Sequence, residues 1–323
     1  MRVDRDGGAG CPVYWGAMNI TVLPAESAEY LAALGILFQQ LPADQRAEQI
    51  AQLMASVREE TFSLAGLLLA RDGARPVGAM LNILQGDGTV FMWPPVVLAG
   101  VDLKSVASAL IAGAGRWIET QPYRLAQCLL DPGATVDREL FEHQGFPHLA
   151  DLLFLRRALE VPCPIEGAPL SFVTYTEGES ARFAAVLEQT YRGSCDCPRL
   201  NGLRTGAEAL LGHQFAGQFD PRLWRVYRSG ESDVGVLLFA NHPDQHEWEL
   251  TYMGIVPEHR GKGLGRKMIA QGLEQARASG ATGVFLAVDE KNRYARRLYE
   301  DMGFAHFLSR TVMARLADRS EVR

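Results

Sequence analysis

The stretch VPEHRGKGLGRKM, Val256 to Met268, places three glycines and four Lys/Arg side chains between the apolar-rich run 247–256 and a helical pattern over 266–280. A strand, a glycine-rich turn and a helix start together make an anion site. The first helical N–H groups lack intrahelical acceptors, the helix dipole is positive at that end, and glycine lets the backbone close on the anion. Gly261, Gly263 and Gly265 permit backbone angles that a side chain would oppose, and Arg260, Lys262, Arg266 and Lys267 add positive field. A Walker A reading fails because no Gly stands six places before a Lys-Ser/Thr pair. A dinucleotide fingerprint fails because Arg266 fills its third glycine slot.

Working outward, 170–176 reads as a strand and 179–191 as an amphipathic helix. A polar loop, RGSCDCPRLNGLRT, leads to a short helix, and 223–229, 233–241 and 247–256 form a strand meander. After the glycine turn and its helix come a strand at 283–288, a helix at 292–303 and a last strand at 306–316. The first half repeats this order: strand 19–24, two helices, a three-stranded meander within 64–97, helix 102–120, strand 124–131, then a helix and a closing strand within 137–159. HQGFPHLADLLFLRR (143–157) matches DMGFAHFLSRTVMAR (301–315) in its Gly helix stop, Phe and terminal Arg. Such self-similarity reads as a duplication. It predicts a flexible extension over 1–18 (with Met18 a candidate start), a first domain at 19–160, a Pro-rich linker at 161–169 and a second domain at 170–323.

The second half resembles the GNAT superfamily of acyl-CoA-dependent N-acetyltransferases. Arg260-Gly-Lys-Gly263-Leu-Gly265 is similar to the family's Arg/Gln-x-x-Gly-x-Gly/Ala pyrophosphate loop, and it follows a Val-Pro. NRYARRLYEDMGF is similar to a second signature through Asn292, Ala295, Tyr299, Gly303 and Phe304. The resemblance implies an α+β fold: two tandem GNAT-like domains, each a mixed, mostly antiparallel sheet flanked by helices, with a splayed strand pair for CoA. It implies acetyl-CoA as cosubstrate, its pyrophosphate on the amides of Arg260, Gly261, Lys262, Gly263, Leu264, Gly265 and Arg266. The pantetheine would then lie along Ile255 and Val256, near Asn292. A main-chain N–H near Met253 to Ile255 would face the thioester oxygen.

The remaining chemistry is proton transfer, because the amine must lose a proton and the thiolate must gain one. The resemblance implies Tyr299 as the acid. Glu249 lies where relatives carry a strand carboxylate and is the expected base, with Glu247 on the same face by alternation. The alternatives are packing for Tyr299, a helix N-cap for Asn292 and solvent-face charges for the two glutamates. The loop at 192–205 occupies the place of an acceptor wall. There Tyr191, Asp196, Arg199, Asn201 and Arg204 are candidate substrate readers, Asp196 for an ammonium and the arginines for a carboxylate. In the first half, Leu98 to Val101 stand where the glycine loop would be, Phe141 stands at the acid position and Ala134 at the Asn position. That half is expected to keep the fold without the cofactor and to serve as scaffold or acceptor wall.

Bulk properties narrow the partners. The chain has 323 residues, a net charge of -6, 47% hydrophobic and 22% charged residues, which is a globular profile. An acidic balance argues against nucleic acid, and no apolar run reaches bilayer length. Cys11, Cys128, Cys163, Cys195 and Cys197 are odd in number and scattered, as expected in a reducing cytoplasm. The CDC pair lacks metal-site spacing, so no metal is expected. The expected activity is acetyl transfer to a primary amine of a small molecule or peptide. The two-half layout also resembles mycothiol synthase, which acetylates a cysteinyl pseudodisaccharide amine. From another class, the alternative is a non-catalytic acyl-CoA sensor. The sequence leaves the oligomeric state open.

Overall fold

The computed structural model describes residues 19–164, 167–200, 202 and 205–317. The expected extension at 1–18 lies outside them. The first half runs β1 (Ile20–Pro24), α1 (Tyr30–Leu37), α2 (Ala43–Arg58), β2 (Leu67–Asp72), β3 (Arg75–Leu84), β4 (Thr89–Met92), β5 (Val96–Val97), α3 (Leu103–Glu119), β6 (Leu125–Leu130), α4 (Thr135–His143) and β7 (His148–Ala158). The second half runs β8 (Ser171–Thr174), α5 (Ser180–Tyr191), α6 (Gly206–His213), β9 (Trp224–Ser229), β10 (Ser232–His242), β11 (Glu247–Ile255), α7 (Leu264–Ala278), β12 (Gly283–Asp289), α8 (Arg293–Asp301) and β13 (Ala305–Leu316). The repeated element order is therefore present, two tandem halves of mixed α and β structure.

One continuous sheet joins them in the order β1-β2-β3-β4-β6-β13-β7-β12-β11-β10-β9-β8, with β5 beside β3. The pairing is antiparallel except for two equivalent parallel contacts, β4 with β6 and β11 with β12. The closing strands have changed places: β7, from the first half, pairs with β12, while β13 pairs with β6 of the first half. The boundary expected at 161–169 therefore does not separate two self-contained sheets.

The exchange has a polar lock. Arg157, at the end of β7, donates to the Met302 carbonyl at the C-terminus of α8. Arg315, at the end of β13, donates to Gln144 O at 2.5 Å and lies over the Phe146 ring at the C-terminus of α4. A guanidinium on the negative end of a helix is favourable, and each arginine caps the helix of the other half.

Two main cores flank the seam. Phe183, Leu187, Trp224, Tyr227, Phe239 and Leu273 are buried in the second half, and Met80, Leu110, Ile111, Phe141 and Phe146 in the first. Neither sheet closes without the other's strand, since an unpaired central strand exposes its N–H and C=O groups. Fragments 1–164 and 165–323 expressed separately are expected to aggregate or lack a cooperative thermal transition, and to recover one when co-expressed. Two fragments that each melt cooperatively alone would contradict this.

Candidate active site

The parallel contact between β11 and β12 ends at Leu250 with Leu286, yet β11 continues to Ile255 and β12 to Asp289. Beyond that point the strands splay. One edge of Thr251–Ile255 stays paired with β10 while the other faces the gap. A β-bulge between Leu238 and Phe239 makes Thr251 the extra residue, and such bulges re-aim the side chains that follow. After it, Met253 and Ile255 lie toward Gly265 on α7, whereas Gly254 meets Thr190 on α5. Tyr252 thereby joins the face of Thr251 and Glu249, and its hydroxyl is 2.8 Å from Thr190 Oγ1.

At the top of the gap, Gly261 (φ 73°) and Gly263 (φ 76°) adopt the left-handed conformation, with open space where a Cβ would stand. Gly263 is the N-cap of α7 and offers no side chain to cap it. Among the described residues, the amides of Gly261, Lys262 and Gly263 donate to no protein acceptor, and the first amides of α7 have none within the helix. The equivalent helix in the first half is closed. Asp102 caps α3, accepting from Lys104 N at 3.2 Å and from the Ser105 hydroxyl. One half thus presents a vacant, positively polarised helix start, and the other fills it with its own carboxylate.

The expected field of cations over the loop is smaller than the sequence suggests. The Arg260 guanidinium is spent on carbonyls, with bonds to Ile255 O at 3.0 Å, Gly193 O at 3.0 Å and Thr190 O at 2.8 Å. It fastens the loop to the end of α5. Arg266 pairs with Asp301 at 3.4 Å and Lys267 donates to Ala168 O at 3.4 Å. Lys262 is exposed and has no partner among the described residues.

Asn292 is the N-cap of α8 and accepts from Ala295 N at 3.2 Å. Tyr299, about two helical turns further on, is 6% exposed and packs edge-on against Phe304 at 5.6 Å. Burial, and then the charge of Asp196, raise its pKa above the ordinary phenol value. It therefore stays protonated. Phe141 and Phe146 repeat the ring pair in the first half at 5.9 Å.

Ser194, Asp196, Cys197 and Leu200, which follow α5, help to line a cleft of about 330 Å³ between the halves. Tyr191, Asp196, His213, Thr251 and Tyr252 line it from the second half, and Gln85, Asp87, Arg124 and Gln127 from the first. Arg124 pairs with Glu208 of α6 at 2.6 Å and ties the walls together. Asp196 and Asp289 clasp reciprocally: Asp289 N donates to Asp196 Oδ1 and Cys197 N to Asp289 Oδ2, each at 3.1 Å. The Asp196 residue reaches solvent at the cleft, yet protein encloses its carboxyl on the other sides. Burial first, and the charge of Asp289, raise its pKa against the opposing pull of the Asp289 amide. The Cys197 thiol is pushed up to about 12 by burial and by the Asp196 and Asp289 charges, so it is no thiolate nucleophile.

Other sequence candidates are placed differently. Glu247 is ion-paired to Arg156 at 3.0 Å and buried, which corrects the expectation that it faces the cleft freely. Glu249 shares the Thr251 face, but His242 Nε2 holds its Oε2 at 2.9 Å and it does not line the cleft. Arg199 donates to His148 O at 2.6 Å. Its side chain anchors the loop, contrary to a role in reading a carboxylate. Asn201 and Arg204 lie outside the described residues. Sequence reading missed His242, although the hairpin register from 242 to 247 would have set it diagonally beside Glu249. It also missed Gln85, Asp87, Arg124 and Gln127, which no local signal marks. Among the described residues, no helix is long and apolar enough to cross a membrane, and no group of three His, Cys, Asp or Glu could hold a metal.

Residues 187–304 match the acetyltransferase (GNAT) family profile. Mycothiol acetyltransferase of Thermomonospora curvata is 34% identical over 51% of this chain and 54% of its own length, so the match spans about half of that relative. The Thermobispora bispora protein of the same name is 30% identical over 57% of this chain and 67% of its own length. That of Kocuria rhizophila is 26% identical over 89% and 96%. Among solved structures, a GCN5-related N-acetyltransferase from Sphaerobacter thermophilus aligns over 92% of this chain and 95% of its own, with TM-score 0.62 and 17% identity. A tandem GNAT protein from the clavulanic acid biosynthesis pathway aligns over 94% and 100%, with TM-score 0.52 and 15% identity. The splayed strands, the uncapped turn and the buried phenol thus sit on a shared architecture, and the chain belongs to the GNAT family of N-acetyltransferases.

Proposed function

We propose that the second half moves the acetyl group of acetyl-CoA directly to a primary amine of a small molecule seated in the cleft between the halves. The observation that carries this is the uncapped glycine turn at the end of a splayed strand pair, beside a cleft that both halves wall. The free amides from Gly261 to Arg266 fit a pyrophosphate, with Arg260 fixing the loop from behind. Acetyl-CoA supplies the thioester when bound. Amides on the open edge of Thr251–Ile255 are aligned to polarise its carbonyl, and preorganised donors of this kind are worth about 3–4 kcal/mol each. Tyr299 holds the proton that the leaving thiolate requires.

A cleft of about 330 Å³ suits a small polar molecule better than a peptide, which would need an open groove. The relatives named mycothiol acetyltransferases place a cysteinyl amine among the acceptors worth testing first. The acceptor ammonium must lose a proton before attack. Two carboxylates are available near this face, Glu249 and Asp196.

The test is calorimetry with acetyl-CoA, followed by thiol release over a panel of amino acids, amino sugars, cysteinyl amides with the thiol blocked, and peptides. Acetyl-CoA binding with turnover of a small amine is the expected outcome. Binding without acetylation of any amine would turn the reading toward a sensor.

A further inference from the structure

We propose that Asp196, on the loop between α5 and α6, is the group that takes the proton from the acceptor ammonium, in place of the strand carboxylates Glu249 and Glu247. This rests on the acetyl-transfer reading of the same cleft.

Three observations separate the carboxylates. Asp196 lines the cleft, and neither glutamate does. Each glutamate already has a basic side chain against it, Arg156 on Glu247 and His242 on Glu249. Asp196 makes no ion pair with a described residue, and its one main-chain donor, Asp289 N, occupies Oδ1. An incoming ammonium therefore supplies a charge partner that Asp196 lacks, whereas Glu247 already has Arg156 and Glu249 is already hydrogen-bonded to His242. Third, Asp289 N belongs to the last residue of β12, at the lip of the splayed gap. The clasp thus fixes Asp196 where an acceptor in the cleft meets an acyl group in the gap. The groups that face it are Asp289, Cys197 and Asn292 from below and the phenols of Tyr252 and Tyr299, with Tyr191 beside Tyr252. None is cationic. The resulting upward shift of Asp196 moves a carboxylate toward the operating pH, where a base works best.

The step balances as follows. An N–H proton of the ammonium passes to Asp196 Oδ2, and the freed lone pair forms the N–C bond to the acetyl carbonyl carbon. As the C–S bond breaks, the sulfur takes the proton of the Tyr299 hydroxyl. Of the two protons still on the nitrogen, one restores Tyr299 through solvent and the other stays as the amide N–H, and Asp196 returns its own proton to solvent. Amine cation and thioester yield amide, free thiol and one proton.

The experiment uses the full chain, acetyl-CoA and S-methyl-L-cysteine amide, a primary amine whose blocked thiol leaves the thiol readout clean. It compares wild type, D196N, D196E and E249Q across pH 5 to 9. The amide of D196N keeps an oxygen to accept from Asp289 N, so a near-native melting temperature and unchanged acetyl-CoA Kd are expected. Its kcat should fall about 10²- to 10³-fold, and the acid limb of kcat should disappear. D196E should restore part of that limb, and E249Q should lose less kcat than D196N and keep its acid limb. D196N with wild-type kcat and an unchanged acid limb overturns the assignment, as does a larger loss in E249Q. Should D196N unfold, a D196E profile with an unshifted acid limb is the overturning result. Failure of wild type to bind acetyl-CoA would instead sink the acetyl-transfer reading itself, so the two failures are distinguishable.

Discussion

Tyr299→Phe is expected to lower kcat by about 10²- to 10³-fold, the usual share of a positioned general acid, and to leave acetyl-CoA affinity and the melting temperature close to wild type. The first half already contains the control for packing. Phe141 stands at the equivalent point of α4, fully buried and edge-on to Phe146, so this architecture accepts the ring without its hydroxyl. Only the proton is lost. The direction of the phenol's shift fixes the pH behaviour. Burial and the nearby Asp196 charge raise its pKa, so the acid form persists through neutral and mildly alkaline pH. The wild-type rate should therefore show no alkaline limb from Tyr299 below the ordinary phenol range near 10. Steady-state kinetics with a thiol-blocked amine provides the check. A variant that retains kcat would remove Tyr299 from the chemistry.

Gly263→Val is expected to raise the acetyl-CoA Kd at least about 100-fold while shifting the melting temperature by only a few degrees. At φ 76°, a side chain costs about 1–2 kcal/mol in the left-handed conformation, and β-branching worsens it. The open space at this position lets the free loop relax, so the strain is felt when an anion demands the native turn. At 1.4 kcal/mol per tenfold, strain alone accounts for roughly a tenfold loss. The remainder comes from amides turned away and from isopropyl bulk in the anion's room. Calorimetry on the variant decides it, and an unchanged Kd would exclude the turn as the pyrophosphate site.

What could be read in the sequence was what neighbouring residues determine. The glycine turn, the helix it opens, the N-cap at Asn292 and the phenol seven residues later are all local, and the structure packs α7 against α8 where Gly265 meets Leu298. The duplicated order was legible because each element has its own periodicity. Strand partnership was not. β7 and β13 have the same pattern, Gly stop, Phe and terminal Arg, and either could close either sheet by composition alone. The exchange becomes visible only where Arg157 meets Met302 and Arg315 meets Gln144. The cleft wall was hidden for a similar reason, since Gln85 and Gln127 face Tyr252 only after the chain has folded across the seam. Arg260 misled because a long side chain beside an anion loop reads as a ligand, and two of its three carbonyl partners, Thr190 and Gly193, lie at the end of α5, far away in sequence.

The exchanged closing strands also decide how the molecule can move. Two domains joined by a linker can work as jaws, opening for cargo and shutting over it. Here each half is threaded into the other's sheet, and parting the halves would tear three strand pairings, β7 with β12, β13 with β6 and β13 with β7. The two walls of the cavity between the halves are consequently held to one another through a shared sheet. The first half thereby gains a lasting role: with the start of α3 filled by its own Asp102, it is the fixed cheek of the cavity, set against the half that carries the open glycine turn.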